Sequence, residues 1–84
     1  MNAAVKVPSR KISVILADDH PVVRDGLAAI VNQQPDMQVV AEAGDGAEAL
    51  ELYEQHKPDV MVLDLRMPKM DGAAVVQKVL EKYT

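Results

Sequence analysis

The sequence predicts one small α/β domain with the element order βαβαβα and a parallel sheet. Three observations predict it. Three short aliphatic runs, Ile12–Ala17, Met37–Ala43 and Val60–Leu65, have strand length and β-branched content. Each is followed by a segment of ten or more residues with apolar positions at helical spacing. The junctions carry Pro, Gly and Asp, which punctuate elements. Strands alternating with helices of this length need crossover connections, and crossovers make parallel sheets.

Ile12-Ser-Val-Ile-Leu-Ala17 is nearly all apolar and ends at Asp18-Asp19, as expected of a strand buried on both faces. Pro21 stands where a first helical turn tolerates proline. Val23, Leu27, Ile30 and Val31 then mark one helix face, and Pro35-Asp36 closes that helix. Met37–Ala43 alternates more and suits a strand nearer an edge. Gly44-Asp-Gly46 is a turn, and Ala47 to about His56 is a helix. Ala49, Leu50 and Tyr53 form its expected inner face, with Glu48, Glu51 and Glu54 in solvent. Lys57-Pro58-Asp59 stops it, because proline disfavours helix in the residue before it. Val60 to Leu65 is the third strand. A loop from Arg66 to Met70 leads to Asp71, a good N-cap, and to a last helix with Val75, Val76, Val79 and Leu80 on one face. Residues 1–10 are expected to be a flexible lead-in and 11–84 the folded part.

Composition narrows the function. The chain has 84 residues, 49% of them apolar, so it is globular but marginal in core size. It has no cysteine, which removes disulfides and thiolate metal sites. A net charge of -4 argues against a nucleic-acid or anionic-membrane surface. No apolar stretch reaches membrane-spanning length, and the N-terminus is no secretory signal, so a cytoplasmic location is expected.

In a parallel sheet all strand C-termini share one edge. Asp18 and Asp19 follow the first strand and Asp64 ends the third. If those strands are neighbours, three carboxylates converge at the edge where open α/β sheets bind ligands. Such carboxylates raise one another's pKa, and a hard divalent cation such as Mg²⁺ relieves the repulsion. The carboxylate nearest the cation can act as nucleophile toward a phosphoryl donor. Any one strand-end Asp is more often a cap or turn residue; three on one edge, two of them adjacent, favour a cation site.

Leu16-Ala-Asp-Asp-His-Pro21, Val62-Leu-Asp-Leu-Arg-Met-Pro68 and Met70-Asp-Gly72 resemble the receiver domains of two-component response regulators. The Asp-Asp-His-Pro form, with Val23-Arg-Asp-Gly-Leu27 after it, is most similar to receivers that precede a helix-turn-helix DNA-binding domain and regulate transcription. The resemblance runs from about Lys11 to the end. It implies a flavodoxin-like doubly wound sheet with strand order 2-1-3, and a signalling module rather than an enzyme. Asp64 would be the phospho-acceptor. Asp18, Asp19, Asp64 and the backbone carbonyl of Arg66 would hold Mg²⁺. A sensor histidine kinase, or a small phosphodonor, would supply the phosphoryl group.

Family members continue for two further βα units, so the resemblance implies a receiver truncated after the third unit. The hydroxyl residue of strand four and the lysine of strand five would then be missing. The third strand would become an edge, and unpaired edges template pairing with another chain. A homodimer or higher oligomer is therefore expected, through that strand or through exposed helix faces. The alternative function is a phosphorylation-incompetent half-receiver acting as a dimeric interaction module. An aspartyl-phosphate hydrolase is disfavoured, because Arg66 stands where such enzymes place a second acid.

The remaining residues read as structural. His20 follows the acidic pair, within reach of a ligand there, but at a strand-to-helix junction the commoner and expected role is a solvent-exposed N-cap neighbour; His56 suits a helix C-terminus. Met61, Met67 and Met70 are packing residues. Arg24 and Arg66 suit a phosphate or a local ion pair equally. Gly46 and Gly72 are turn or helix-start residues.

Overall fold

In the computed structural model, which describes residues 11–67 and 69–83, the elements are β1 (Ile12–Ala17), α1 (Pro21–Asn32), β2 (Met37–Ala43), α2 (Gly46–His56), β3 (Val60–Leu63) and α3 (Gly72–Tyr83). The expected lead-in lies outside the described residues. The sheet is three-stranded, parallel throughout, in the order β2-β1-β3. Winding reverses between β1 and β3, so their C-terminal ends open onto the edge where ligands bind in doubly wound sheets.

β1 is central, and Val14, Ile15, Leu16 and Ala17 are all buried. β2 is an edge, as its mixed pattern predicts. An irregularity between Val14 and Ile15 leaves Val40 unmatched in the register. There Asn32, the last residue of α1, lends its side-chain oxygen to Val39 N–H at 2.9 Å. At the start of β3 the Asp59 carboxylate accepts from both the backbone N–H and the hydroxyl of Ser13, at 2.8 and 3.1 Å. Asp59 N–H in turn donates to the Ser13 carbonyl at 3.0 Å, which fixes where β3 begins on β1.

β3 ends two residues earlier than the apolar run suggests. Asp64 Oδ1 accepts from Arg66 N–H at 3.0 Å, and this local turn leads the chain out of the sheet. Leu65 is exposed as a result. The helix-face expectations also need correction. Val23 and Ile30 are exposed and α1 buries no residue, so only Leu27 and Val31 of its apolar set are half-buried. In α2 the side chains on the core are Ala49 and Leu52, not Leu50. The core is small: the β1 side chains Val14, Ile15 and Leu16, and a cluster of Ala17, Ala43, Ala49, Met67 and Val75 flanked by Leu52, Met61, Leu63, Met70 and Val79. Of the α3 face, Val75 is buried and Val79 packs against the core, while Val76 and Leu80 are exposed.

Two glycines mark close approaches. α2 starts at Gly46, one residue early, and a Cβ there would overlap the Met70 carbonyl. A Cβ on Gly72 would stand 2.5 Å from the Asp64 carbonyl oxygen. Both helices thus begin pressed against backbone, a placement only glycine allows. Asp71 Oδ1 caps α3 by accepting from Ala74 N–H at 2.9 Å.

Asp45 caps α2, accepting from Glu48 N–H at 2.8 Å, while the Glu48 carboxylate reaches back to Gly44 N–H at 2.9 Å. The Glu48 N–H bond, helped by the Lys69 ammonium at 3.4 Å, lowers the Asp45 pKa. A lowered carboxyl pKa adds stability above the unfolded value of about 3.9, which is lost as pH falls through the folded value. A side-chain amide in place of this carboxylate would still accept the hydrogen bond but would not titrate. The Asp45→Asn variant is therefore expected to lose Tm less steeply than wild type below about pH 4; calorimetry on the acid side of neutrality checks this, and equal slopes refute it.

Candidate functional site

The C-terminal ends of β1 and β3 meet through one backbone bond, from Asp64 N–H to the Ala17 carbonyl at 2.8 Å. It sets Asp64 beside the residues that follow Ala17. Asp18, Asp19, His20 and Asp64 each bring one donor atom into a group that spans no more than 4.8 Å. All three carboxylates named from the sequence are therefore together. Asp18 is the most enclosed, with a side chain 15% exposed, and Asp64 and Asp19 follow at 24% and 32%. Arg66 is exposed, and its N–H holds the Asp64 carboxylate in place.

His20 is more than the solvent-exposed neighbour that its position suggests. Its ring is 65% exposed, but its Nδ1 lies 2.8 Å from Asp18 Oδ1, 3.0 Å from Asp19 Oδ1 and 3.7 Å from Asp64 Oδ2. It is also the N-cap residue of α1, in extended conformation, at the strand-to-helix junction. Its backbone N–H donates to Asp18 Oδ1 at 2.8 Å as well. These bonds reverse one electrostatic expectation. The His20 backbone N–H, and then its ring, hold the Asp18 carboxyl below its ordinary pKa rather than above it. The Asp18 hydrogen bond, with the Asp19 and Asp18 charges, raises the His20 pKa. The sequence carries a signal for this: a His directly after two Asp can reach the carboxylate two residues back.

Arg24 settles as a structural clamp. One helical turn after His20, its Nη1 donates to the carbonyl oxygens of Asp18, at 2.9 Å, and Ala43, at 3.4 Å. Its Nε donates to Glu42 at 3.2 Å. One guanidinium thus ties α1 to the ends of β1 and β2 and fixes the backbone that carries the acidic pair. Lys69, in left-handed conformation at φ 68°, ties the loop after β3 to the α2 cap through Asp45.

Chemically the arrangement offers three oxygen donors and one nitrogen donor within 4.8 Å of one another, a little wider than the ~4.2 Å between trans donors of a divalent cation's shell with bonds of about 2.1 Å. Cis donors of an octahedral shell with bonds of about 2.1 Å stand about 3 Å apart. The donor set fits such a cation. Asp64 is also open enough to meet a second reactant.

Comparison with known proteins places the chain in a family. Residues 14–84 match the family described as the response regulator receiver domain. The chain is 49% identical over 69 residues to the probable transcriptional regulatory protein NarL of Mycobacterium tuberculosis, covering 82% of this chain and 32% of that protein. It is 44% identical over 70 residues to the protein-glutamate methylesterase/protein-glutamine glutaminase of Nitrosospira multiformis, covering 83% and 20%. It thus spans a fifth to a third of these curated relatives. The solved receiver domain of Mycobacterium tuberculosis NarL superposes with a TM-score of 0.85 at 46% identity, covering 87% of this chain and 59% of that one.

The clamp is testable. Arg24→Ala leaves the Asp18 carbonyl without its donor, and unfolding free energy in urea should fall by about 1–3 kcal/mol. Arg24→Lys should recover only part of this, because one ammonium cannot serve the three acceptors of the fork. Full recovery by lysine would show that charge alone matters.

Proposed function

The chain belongs to the response regulator receiver domain family, and we propose that it takes a phosphoryl group onto Asp64 from a sensor histidine kinase of a two-component system. Acceptance of a phosphoryl group from a kinase is the general function of receiver domains, and Mg²⁺ at the acidic phosphorylation site is general to them too. The observation that carries the proposal for this chain is the juxtaposition of Asp64 with Asp18 and Asp19, fixed by the Asp64 N–H to Ala17 bond.

In this reading an Asp64 carboxylate oxygen attacks phosphorus, the new O–P bond forms, and the donor's N–P bond breaks with its electron pair leaving on the imidazole nitrogen. Asp18, Asp19, Asp64 and the Arg66 backbone carbonyl are the residues that would hold Mg²⁺. Bound there, the cation supplies charge neutralisation at the transferred group. The Arg66 N–H bond to Oδ1 keeps the Asp64 carboxylate in one orientation, and Arg24 keeps the Asp18 backbone from drifting. The chain acts as a signalling module; hydrolysis belongs to the methylesterase relative, of which the matched part is 20%. A role in transcriptional regulation, as the NarL relative's name states for that protein, and a cytoplasmic location go with this reading.

Incubation with a small phosphodonor such as acetyl phosphate and Mg²⁺ should add one acid-labile phosphate, read by intact mass. Asp64→Asn should abolish it, and chelation should suppress it. A wild-type chain that stays unmodified in saturating donor and Mg²⁺ refutes the proposal.

A second reading, assembly into a homodimer, is favoured by the outer side of β3. Among the described residues β3 pairs with β1 alone. Val60 and Val62 are each 43% exposed on one face of it, and Met61 and Leu63 line an apolar groove on the other with Tyr53, Val76, Val79 and Leu80. A two-fold mate would pair antiparallel along β3, satisfy its unpaired backbone edge and extend the apolar groove across both chains. Light scattering at micromolar concentration should report twice the chain mass, and a monomer refutes this reading.

A further inference from the structure

We propose that His20 is a nitrogen ligand of the acidic cation site, and that it tilts the site toward borderline cations such as Co²⁺, Ni²⁺ and Zn²⁺ relative to Mg²⁺. The inference rests on the reading of Asp18, Asp19 and Asp64 as the cation site. Its own support is geometric. The ring nitrogen that faces the cluster is Nδ1, and it stands 2.8, 3.0 and 3.7 Å from one oxygen of each carboxylate. The first two match the cis separations of about 3 Å that bonds of about 2.1 Å produce in an octahedral shell, and the third falls between cis and trans. A nitrogen held there by Asp18 is already placed to bind a cation, with the Nδ1 proton leaving to solvent.

The local fold explains why the ring is in reach. His20 is the N-cap of α1 and adopts φ -105°, ψ 102°, the extended geometry that precedes a helix. Pro21 then starts the helix with a fixed φ, so the His20 backbone has little freedom to swing its ring away as a unit. The ring itself is 65% exposed, and its hydrogen bond to Asp18 Oδ1 holds Nδ1 toward the cluster. It sits at the solvent mouth, above the more enclosed Asp18.

Selectivity follows from donor chemistry. Mg²⁺ prefers oxygen and sheds its waters reluctantly, so it gains little from an imidazole. Borderline transition cations gain a bond for which imidazole is well suited. Such cations outcompete Mg²⁺ at most oxygen and nitrogen sites whatever the ligands, so the informative quantity is the change caused by removing His20, cation by cation. His20→Ala keeps the backbone N–H that holds Asp18 Oδ1, so the carboxylates stay in place. His56, at the far end of α2, is the matched control.

The test is calorimetric titration of tag-free protein with Mg²⁺, Co²⁺ and Zn²⁺ alone, for wild type, His20→Ala and His56→Ala, with folding checked by circular dichroism. His20→Ala should weaken Co²⁺ and Zn²⁺ by at least about tenfold and change Mg²⁺ by less than about threefold, while His56→Ala changes none. Long-range ¹H–¹⁵N spectra with Zn²⁺ should show the shift at Nδ1 of His20 in the wild type. Unchanged Co²⁺ and Zn²⁺ affinity, or a gain in affinity, overturns the inference and leaves the acidic site standing. Equal loss for all cations also overturns it, since that is a charge or packing effect. Failure of wild type to bind any of these cations overturns the acidic site itself, and with it this inference.

Discussion

The site depends on one backbone hydrogen bond, from Asp64 N–H to the Ala17 carbonyl. β1 and β3 lie far apart along the chain, with α1, β2 and α2 between them, and nothing local brings Asp64 near Asp18. The parallel register does so, and this bond is its last rung. The opposite end of the pair is set by Asp59 and Ser13, which lock backbone to side chain in both directions. Between these two fixed ends β3 has only four residues, so its register has little room to slip. A slip by one residue would turn Asp64 to the other face of the sheet.

Much of this is legible in the sequence because aliphatic runs and acidic punctuation report on different constraints. Ile12–Ala17 had to be central, since an edge strand could not bury four consecutive apolar residues. Asp18, Asp19 and Asp64 had to share an edge once the sheet was parallel. What is not legible comes from side chains that bind backbone. Arg24 suits a phosphate or a surface pair when read from sequence, because nothing in its neighbourhood announces the Asp18 and Ala43 carbonyls it serves. The early end of β3 is hidden for the same reason: Leu65 continues the apolar pattern, yet the Asp64 side chain captures Arg66 N–H and turns the chain. The contacts of His20 are half legible: its place after two Asp puts a carboxylate within reach, but does not say which way its ring points.

The glycines show the same limit from the other side. Gly46 and Gly72 read as turn residues, but the structure uses them for proximity rather than for φ, since no glycine has a positive φ among the described residues. The left-handed positions fall to Lys57 and Lys69 instead, at φ 44° and 68°. Lys57 closes α2 there, and Lys69 turns its ammonium to the cap of that same helix. Both ends of α2 are thus finished by lysines in a conformation that costs a side-chain residue about 1 kcal/mol or more. The burial of Val14, Ile15, Leu16 and Val75 offsets these costs, and three alanines, Ala17, Ala43 and Ala49, let α2 lie close on the sheet.

The lack of any buried residue in α1 carries a consequence for motion. A helix held mainly by half-buried contacts and one arginine opens at low free-energy cost. Its opening would not be a silent fluctuation. When α1 frays at its start, the Arg24 tether to Asp18 and the His20 cap go with it, and the acidic pair loses its frame. The breathing of one peripheral helix thus bears on how long Asp18 and Asp19 stand in place beside Asp64.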